Sequence, residues 1–319
     1  MIAGLQAPKI HLWVFNHPLE GISDQLDFFT LLMKQYGYQV SISRRPRLDA
    51  LNIVIENFSD RTSNTLIDFC KQTGKRVALI MTEHLDLKGD QLLIHGDPLW
   101  TRNDYMHAST QVARIKNLMD CVPWLRAIFV LGDLPSLEGA DLMFPGVPLR
   151  ALPFPVLRKV DVSKHAPLSS FVFTGYRTTF REQVLQMVCA NNSLEQAVDL
   201  LPRKERDKLN ARGRVVLNIP QRPRWRWLSL MRIYAALKIG RATVSIATND
   251  TSWISRCCTQ VSVEEVGDKL KKIVCDWRNA YDMSYERYEQ MRLDFLNERG
   301  FPKDLFEYWA ILEKNSLLN

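Results

Sequence analysis

The chain has 319 residues, too many for one small domain and suited to two of about 150 each. Its 46% hydrophobic and 24% charged residues suit packed cores in a soluble globular protein, and no run approaches the ~18 to 20 apolar residues of a membrane span. The net charge of +7 and pI near 9.1 suit an anionic ligand, a nucleic acid or an anionic membrane surface, without choosing among them. The six cysteines, Cys70, Cys121, Cys189, Cys257, Cys258 and Cys275, form no C-x-x-C pair and read as reduced core thiols. No basic segment followed by an apolar one opens the chain, so no secretory signal is read and a cytoplasmic location is expected.

Residues 10–16 read as a strand, and 17–23 as a loop containing His17, Pro18 and Gly21. Asp24 to Tyr36 reads as a helix with Ser23 as N-cap and Gly37 as its stop. Tyr38 to Ser43 and Leu51 to Glu56 follow as strands, and Ser63 to Thr73 as a helix stopped by Gly74. Arg76 to Met81 is a strand, His107 to Cys121 a helix and Ala127 to Leu131 a strand. This alternation predicts βαβ units and a mainly parallel sheet, buried on both faces and therefore built of nearly continuous apolar runs.

Residues 144–168 carry Pro145, Pro148, Pro153, Pro155 and Pro167 and read as an interdomain linker. A second series follows: strand Ser170 to Thr174, helix Thr179 to Ala190, strand Arg214 to Ile219, helix Leu228 to Leu237 stopped by Gly240, strand Ala242 to Ile246 and helix Val263 to Trp277. Tyr281 to Leu312, interrupted by Pro302, reads as a terminal helix pair crossing back onto the first domain. The expected organisation is an N-terminal Rossmann-like domain (1–155), a C-terminal one (168–280) and terminal helices (281–319).

In open parallel sheets, ligands bind beyond the C-terminal ends of the strands, so the strand-to-helix turns carry the candidate chemistry. The first, Asn16 to Ser23, leads to a helix N-terminus and places His17 either in an ordinary loop or facing a substrate. In the second, Thr82-Glu83-His84, Glu83 and His84 are candidate bases, His84 being oriented by Glu83 or Asp86. The third runs from Gly175, where the backbone can approach a ligand closely, through Arg177 to Arg181, two cations about a helix start that suit a diphosphate. The fourth contains Asn218, Gln221, the run Arg222-Pro223-Arg224-Trp225-Arg226-Trp227, Ser229 at a helix start, Arg232 and Tyr234. It suits phosphate or acceptor contact. Its interleaved arginine and tryptophan also suit base stacking or a membrane interface. No H-E-x-x-H, Walker A or G-x-S-x-G motif occurs, and the scattered histidines predict no metal site.

Phe171-Val172-Phe173-Thr174-Gly175-Tyr176-Arg177-Thr178-Thr179-Phe180-Arg181 resembles the "FTG…YR" opening of the second domain in many bacterial glycosyltransferases. Leu217-Asn218-Ile219, followed by Ser229 to Val244, resembles their donor-binding stretch, most closely the "LN…" strand and "MRxxEALAxG" helix of the spore-maturation-type (CgeB-like) enzymes. The resemblance covers about residues 170–275 and is architectural over 1–150. It implies a GT-B fold of two Rossmann-like domains facing a cleft, and a metal-independent transferase without a cofactor. Its donor, a nucleotide-sugar, would bind the second domain, and a glycan, lipid-linked or protein acceptor the first. The leading reading is a transferase that builds a bacterial surface polysaccharide or decorates a protein, its positive charge suiting a lipid-diphosphate acceptor and peripheral association at the inner membrane face. Arg232 matches the family's diphosphate-binding Arg, and Gly175 and Arg181 match the first motif. The helix departs from the pattern at Ala235, where the family carries a Glu that holds the ribose. The retaining-type pair of glutamates is also absent, so inversion is expected, with His84, Glu83 or His17 as base. The alternatives are a non-catalytic GT-B-like protein that binds a nucleotide or partner, supported by Ala235, and a nucleic-acid-binding protein, supported only by the charge and the Arg-Trp run.

Overall fold

The computed structural model describes residues 9–56, 58–101, 107–133, 139–190, 192–197, 201–225 and 227–307. In the first half, β1 (Ile10–Trp13), α1 (Leu19–Gln35), β2 (Val40–Ser43), β3 (Leu51–Ile55), α2 (Asp60–Thr73) and β4 (Val77–Met81) follow one another. Three short strands come next, β5 (Leu85–Lys88), β6 (Gln91–Ile94) and β7 (Asp97–Pro98), then α3 (Ala108–Cys121), β8 (Leu125–Leu131), α4 (Ala140–Met143) and β9 (Leu149–Leu152). Six of these strands form a parallel sheet in the order β2-β1-β3-β4-β8-β9. Every residue of β3 and β4 is buried, as expected of strands covered on both faces.

The second half contains β10 (Ser169–Phe173), α5 (Thr179–Cys189), β11 (Leu194–Gln196), α6 (Arg203–Arg212), β12 (Gly213–Asn218), α7 (Leu230–Lys238), β13 (Ala242–Ile246), β14 (Thr259–Val261), α8 (Val266–Cys275) and α9 (Trp277–Arg299). Its five strands form a second parallel sheet in the order β11-β10-β12-β13-β14. Two Rossmann-like α/β domains therefore face each other, the layout expected.

The chain returns to the first domain at its end. Tyr281, Tyr285 and Tyr288 share one face of α9 by helical spacing and grip the connecting segment. Val160 N–H donates to the Tyr281 hydroxyl (2.8 Å), and Tyr285 and Tyr288 donate to the carbonyls of Leu157 and Pro155 (2.7 Å each). Beyond α9, Phe301 stacks on Tyr36 at 3.9 Å and Phe306 on Phe129 at 5.2 Å, both on the first domain. The part of the expected terminal helix beyond Glu307 lies outside the described residues.

Several element boundaries differ from the sequence reading. α1 starts at Leu19, with Pro18 rather than Ser23 at its N-cap, and the Ser23 hydroxyl donates back to Glu20 O within the helix. Proline is tolerated there because its missing N–H would be unpaired anyway. α2 starts three residues earlier than expected, because Ser59 and Thr62 form a reciprocal capping box. The helix expected over 263–277 breaks at Asp276, where α9 begins. β5, β6 and β7 form an antiparallel sheet that was not expected. Its second turn is His95-Gly96, both at positive φ (52° and 82°), the I′ geometry of tight hairpins. Among the described residues no helix is long and apolar enough to cross a membrane.

Candidate active site

A cavity of about 470 Å³ opens where the C-terminal ends of both sheets meet. The first domain lines it with Glu83, His84, His95 and Arg114, among others, and the second with Gly175, Asn218, Gln221 and Arg232. Arg181, Ser229, Tyr176, Arg206, Trp225 and Trp227 also line it.

On the second-domain side, Arg232 rises from the first turn of α7. Its Nη1 donates to Leu217 O (3.0 Å), and its guanidinium lies 5.0 Å over the Phe173 ring. No carboxylate among the described residues pairs with it. Burial, reinforced by the neighbouring Arg206, pulls its pKa down to about 10, so it stays charged at neutral pH. A buried cation without a direct ion pair is a strong site for an anion. Gly175 makes this arrangement possible, because a Cβ there would sit 2.7 Å from Arg232 Nη2.

Ser229 is the N-cap of α7, but its hydroxyl makes no capping bond, and the helix start faces the cavity. Asn218, at the end of β12, is held by Nδ2 donating to Ser245 Oγ (2.7 Å). The backbone carbonyl of Gln221 accepts from Thr178 Oγ1 (2.8 Å), while its side-chain Oε1 is buried without a partner.

The other expected donor contacts are differently placed. Arg181 is buried and spends its guanidinium on the carbonyls of Ile219 (2.9 Å) and Tyr176 (2.7 Å), tying two turns together at the cavity wall. Arg177 is paired with Glu182 and does not line the cavity. Tyr234 also lies outside it. Two residues of helix turn the side chain by about 200°, so Arg232 and Tyr234 leave opposite faces of α7. The Tyr234 hydroxyl donates to Asp27 Oδ2 of α1 (2.6 Å), beside Lys238 and Arg203. Ala235 is buried at 7% exposure and does not line the cavity.

Arg206 was missed because α6 was not read from the sequence. Its guanidinium makes two 2.7 Å bonds to Asp24 of α1 and one of 3.0 Å to Asp207, while its buried Nε has no partner.

On the first-domain side, the loop after β4 presents Glu83 and His84 as expected, but Glu83 does not orient His84. Glu83 Oε2 lies 2.6 Å from Nε2 of His95, and Oε1 lies 2.7 Å from Arg114 Nη2. Burial opposes its charge, but Arg114 and His95 outweigh burial and hold Glu83 well below the usual carboxylate range. Arg114 also binds Glu56, donating from Nε at 2.7 Å. Burial drives the Glu56 carboxyl upward, Arg114 opposing and Glu83 adding. His84 is buried, and burial, with His95 adding, lowers its pKa to about 3.

His95 N–H donates to His84 O (2.8 Å), so the hairpin sets the two rings side by side at 5.2 Å. The signal that would have found His95 is the His-Gly pair between two apolar runs. His17 is half-buried, contacts the Pro18 carbonyl (3.2 Å) and does not line the cavity.

The Arg-Trp run bridges the domains. Trp225 stacks on His95 (4.2 Å) and donates to Asp97 Oδ2 (3.1 Å), Arg222 pairs with Asp97, and Trp227 lies parallel to His84 at 5.3 Å. Arg224 is exposed, and Arg226 lies outside the described residues.

No protein-family model matches the chain, and no curated protein matches it in sequence. Solved structures similar to it include a T4 phage BGT mutant in complex with UDP-glucose, at 11% identity and a TM-score of 0.49, over 91% of this chain and 99% of that one. Phytolacca americana UGT2, complexed with UDP-2fluoro-glucose and pterostilbene, matches at 10% identity and a TM-score of 0.48, over 97% and 100%. Sucrose-phosphate synthase from Thermosynechococcus elongatus matches at 10% identity and a TM-score of 0.47, over 95% and 80%.

Proposed function

We propose that the chain is a glycosyltransferase that moves a sugar from a nucleotide-sugar to an acceptor hydroxyl by a metal-independent, inverting displacement. The observation that carries this reading is Arg232, a charged guanidinium lying across Gly175 in a cavity walled by both domains, without a carboxylate partner. With the start of α7 and the Nε–H of Arg206, it offers a cradle for a diphosphate. The leaving nucleotide gains negative charge as the glycosidic bond breaks, and fixed positive groups lower that barrier. The charge they supply supports a reaction without a metal ion.

His95 is the base in this reading. Glu83 accepts from Nε2–H, which leaves the lone pair on Nδ1 to take the acceptor's proton. The acceptor oxygen then attacks the anomeric carbon while the bond to the diphosphate breaks, the electron pair leaving with the nucleotide. Glu83 stabilises the imidazolium that forms. His84, with a pKa near 3, is too weak a base for this at neutral pH. The net charge of +7 suits an acidic acceptor, such as a lipid diphosphate or a charged glycan.

A second reading, a GT-B-like protein that binds a nucleotide without transfer, draws on Ala235, where a methyl replaces an expected carboxylate. The test is release of nucleoside diphosphate from a panel of nucleotide-sugars, with and without acceptors. Release that falls at least a hundredfold in His95→Gln supports the transferase. Nucleotide binding with no turnover on any donor would favour the second reading. The Arg-Trp run carries little weight for nucleic acid, since Arg222, Trp225 and Trp227 are engaged inside the protein.

A further inference from the structure

We propose that Gln221 holds the ribose of the bound nucleotide by accepting a hydrogen bond from a ribose hydroxyl; this rests on the nucleotide-sugar reading. A buried polar atom without a partner is destabilising, and folded proteins tolerate few. Among the described residues, two such side-chain atoms belong to residues that line the cavity, Gln221 Oε1 and Arg206 Nε. They are of opposite type. Arg206 Nε is a donor beside the positive charge of Arg232 and suits a phosphate oxygen. Gln221 Oε1 is an acceptor and suits a ligand that donates.

The position of Gln221 matches the nucleoside end of such a ligand. It lies four residues past Leu217, whose carbonyl takes Arg232. Its backbone is fixed from two sides: Thr178 donates to its own carbonyl, and Arg181 donates to that of Ile219. Gln221 therefore stands on a fixed turn of the cavity wall that also carries Arg232. The donors a nucleoside diphosphate carries nearest its phosphates are the ribose hydroxyls.

Three carboxylates that line the cavity are already engaged. Asp250 accepts from the N–H groups of Leu228 (2.7 Å) and Ser252 (2.6 Å), and Asp133 from that of Trp253 (3.2 Å). Glu83 is held by Arg114 and His95. The part of α7 that faces the cavity, Leu230 to Arg232, offers no acceptor side chain, and one turn of backbone later stands Ala235.

The experiment is titration calorimetry on the full chain with uridine, guanosine and adenosine diphosphates, the 2′,3′-dideoxy analogue of the tightest, and inorganic pyrophosphate. The wild type is expected to bind the dideoxy analogue about tenfold more weakly than the parent, the worth of one hydrogen bond. Gln221→Leu should lose the same factor on the parent, lose nothing further on the analogue, and bind pyrophosphate as the wild type does, which also shows that it is folded. Gln221→Glu, which can only accept, should keep the preference for the ribose.

Parent binding unchanged in Gln221→Leu overturns the assignment and leaves the donor site intact. A loss in Gln221→Leu that the dideoxy analogue does not reproduce moves the contact to the base and also overturns it. Loss of the preference in Gln221→Glu would mean that the amide donates, and would overturn it as well. Failure of the wild type to bind any diphosphate would instead sink the donor reading itself.

Discussion

Arg232 places a buried positive charge in the cavity without an ion pair to any described carboxylate, a costly arrangement for a purely structural residue. Arg232→Ala should lower kcat/KM by about 10²- to 10³-fold, as removal of a charge-stabilising group does elsewhere, without lowering the melting temperature. Steady-state kinetics and calorimetric melting on one preparation check both halves. Gly175→Ala offers an independent route to the same group. The added methyl would meet the flexible end of Arg232, so the fold should hold while the guanidinium is displaced and activity falls.

His84 gives a pH signature. Its folded pKa, near 3, lies below the ordinary 6.5, so the neutral ring is what the fold accommodates. The stability tied to it is complete above pH 6.5 and is lost as pH falls from there toward 3, by about 4 kcal/mol in all. His84→Phe should flatten that acid-side decline in urea-melting experiments; an unchanged slope would place the acid sensitivity elsewhere. Gly175, Glu83, His84 and Arg232 were legible in the sequence because each sits at a strand end or helix start. His95 was not, because its role depends on a cross-strand pair in a hairpin of very short strands.

α7 works on two faces. Arg232 looks into the cavity, and Tyr234 and Lys238 join Arg203 of α6 around Asp27 of α1. Burial opposes the charge of Asp27, but Lys238, Tyr234 and Arg203 together hold its pKa below the usual value. One carboxylate thus ties both domains beside the cavity. Asp27→Ala should cost about 3 kcal/mol by leaving these partners uncompensated, read as a shift in the denaturant midpoint. An effect under about 0.5 kcal/mol would reduce the contact to an ordinary surface pair.

Tyr234 was expected in the donor site with the other residues of its helix, and helical geometry turns it away from Arg232. The long apolar helices and strands were readable from periodicity. α6 was not, since its ten residues, eight of them charged or Asn, show no apolar stripe and are held by ion pairs. The run from Arg222 to Trp227 held no periodic clue either. Its meaning depends on Asp97, a partner more than a hundred residues away.

Over the whole molecule, two parallel sheets turn their C-terminal edges toward one cavity, and α9 closes the construction from behind. Buried strands wrote the two sheets plainly into the sequence as apolar runs between glycine-stopped helices. The return of the C-terminal segment was also legible, in its wealth of aromatic residues and helix formers. The facing edges bring together residues as distant as Glu83 and Arg232, which strand-end reasoning selected separately without giving their mutual geometry. The cavity's polarity follows the same division, with the proposed anion-binding groups on the second domain and the proposed proton acceptor on the first.

The central claim is that this cavity binds a nucleoside diphosphate through Arg232. Titration of the wild type and Arg232→Ala with uridine, guanosine and adenosine diphosphates tests it most directly. One of the three is expected to bind the wild type, and Arg232→Ala to weaken it at least tenfold, the worth of a charge-assisted hydrogen bond. Equal binding by both proteins, or no binding of any nucleotide by the wild type, would contradict it.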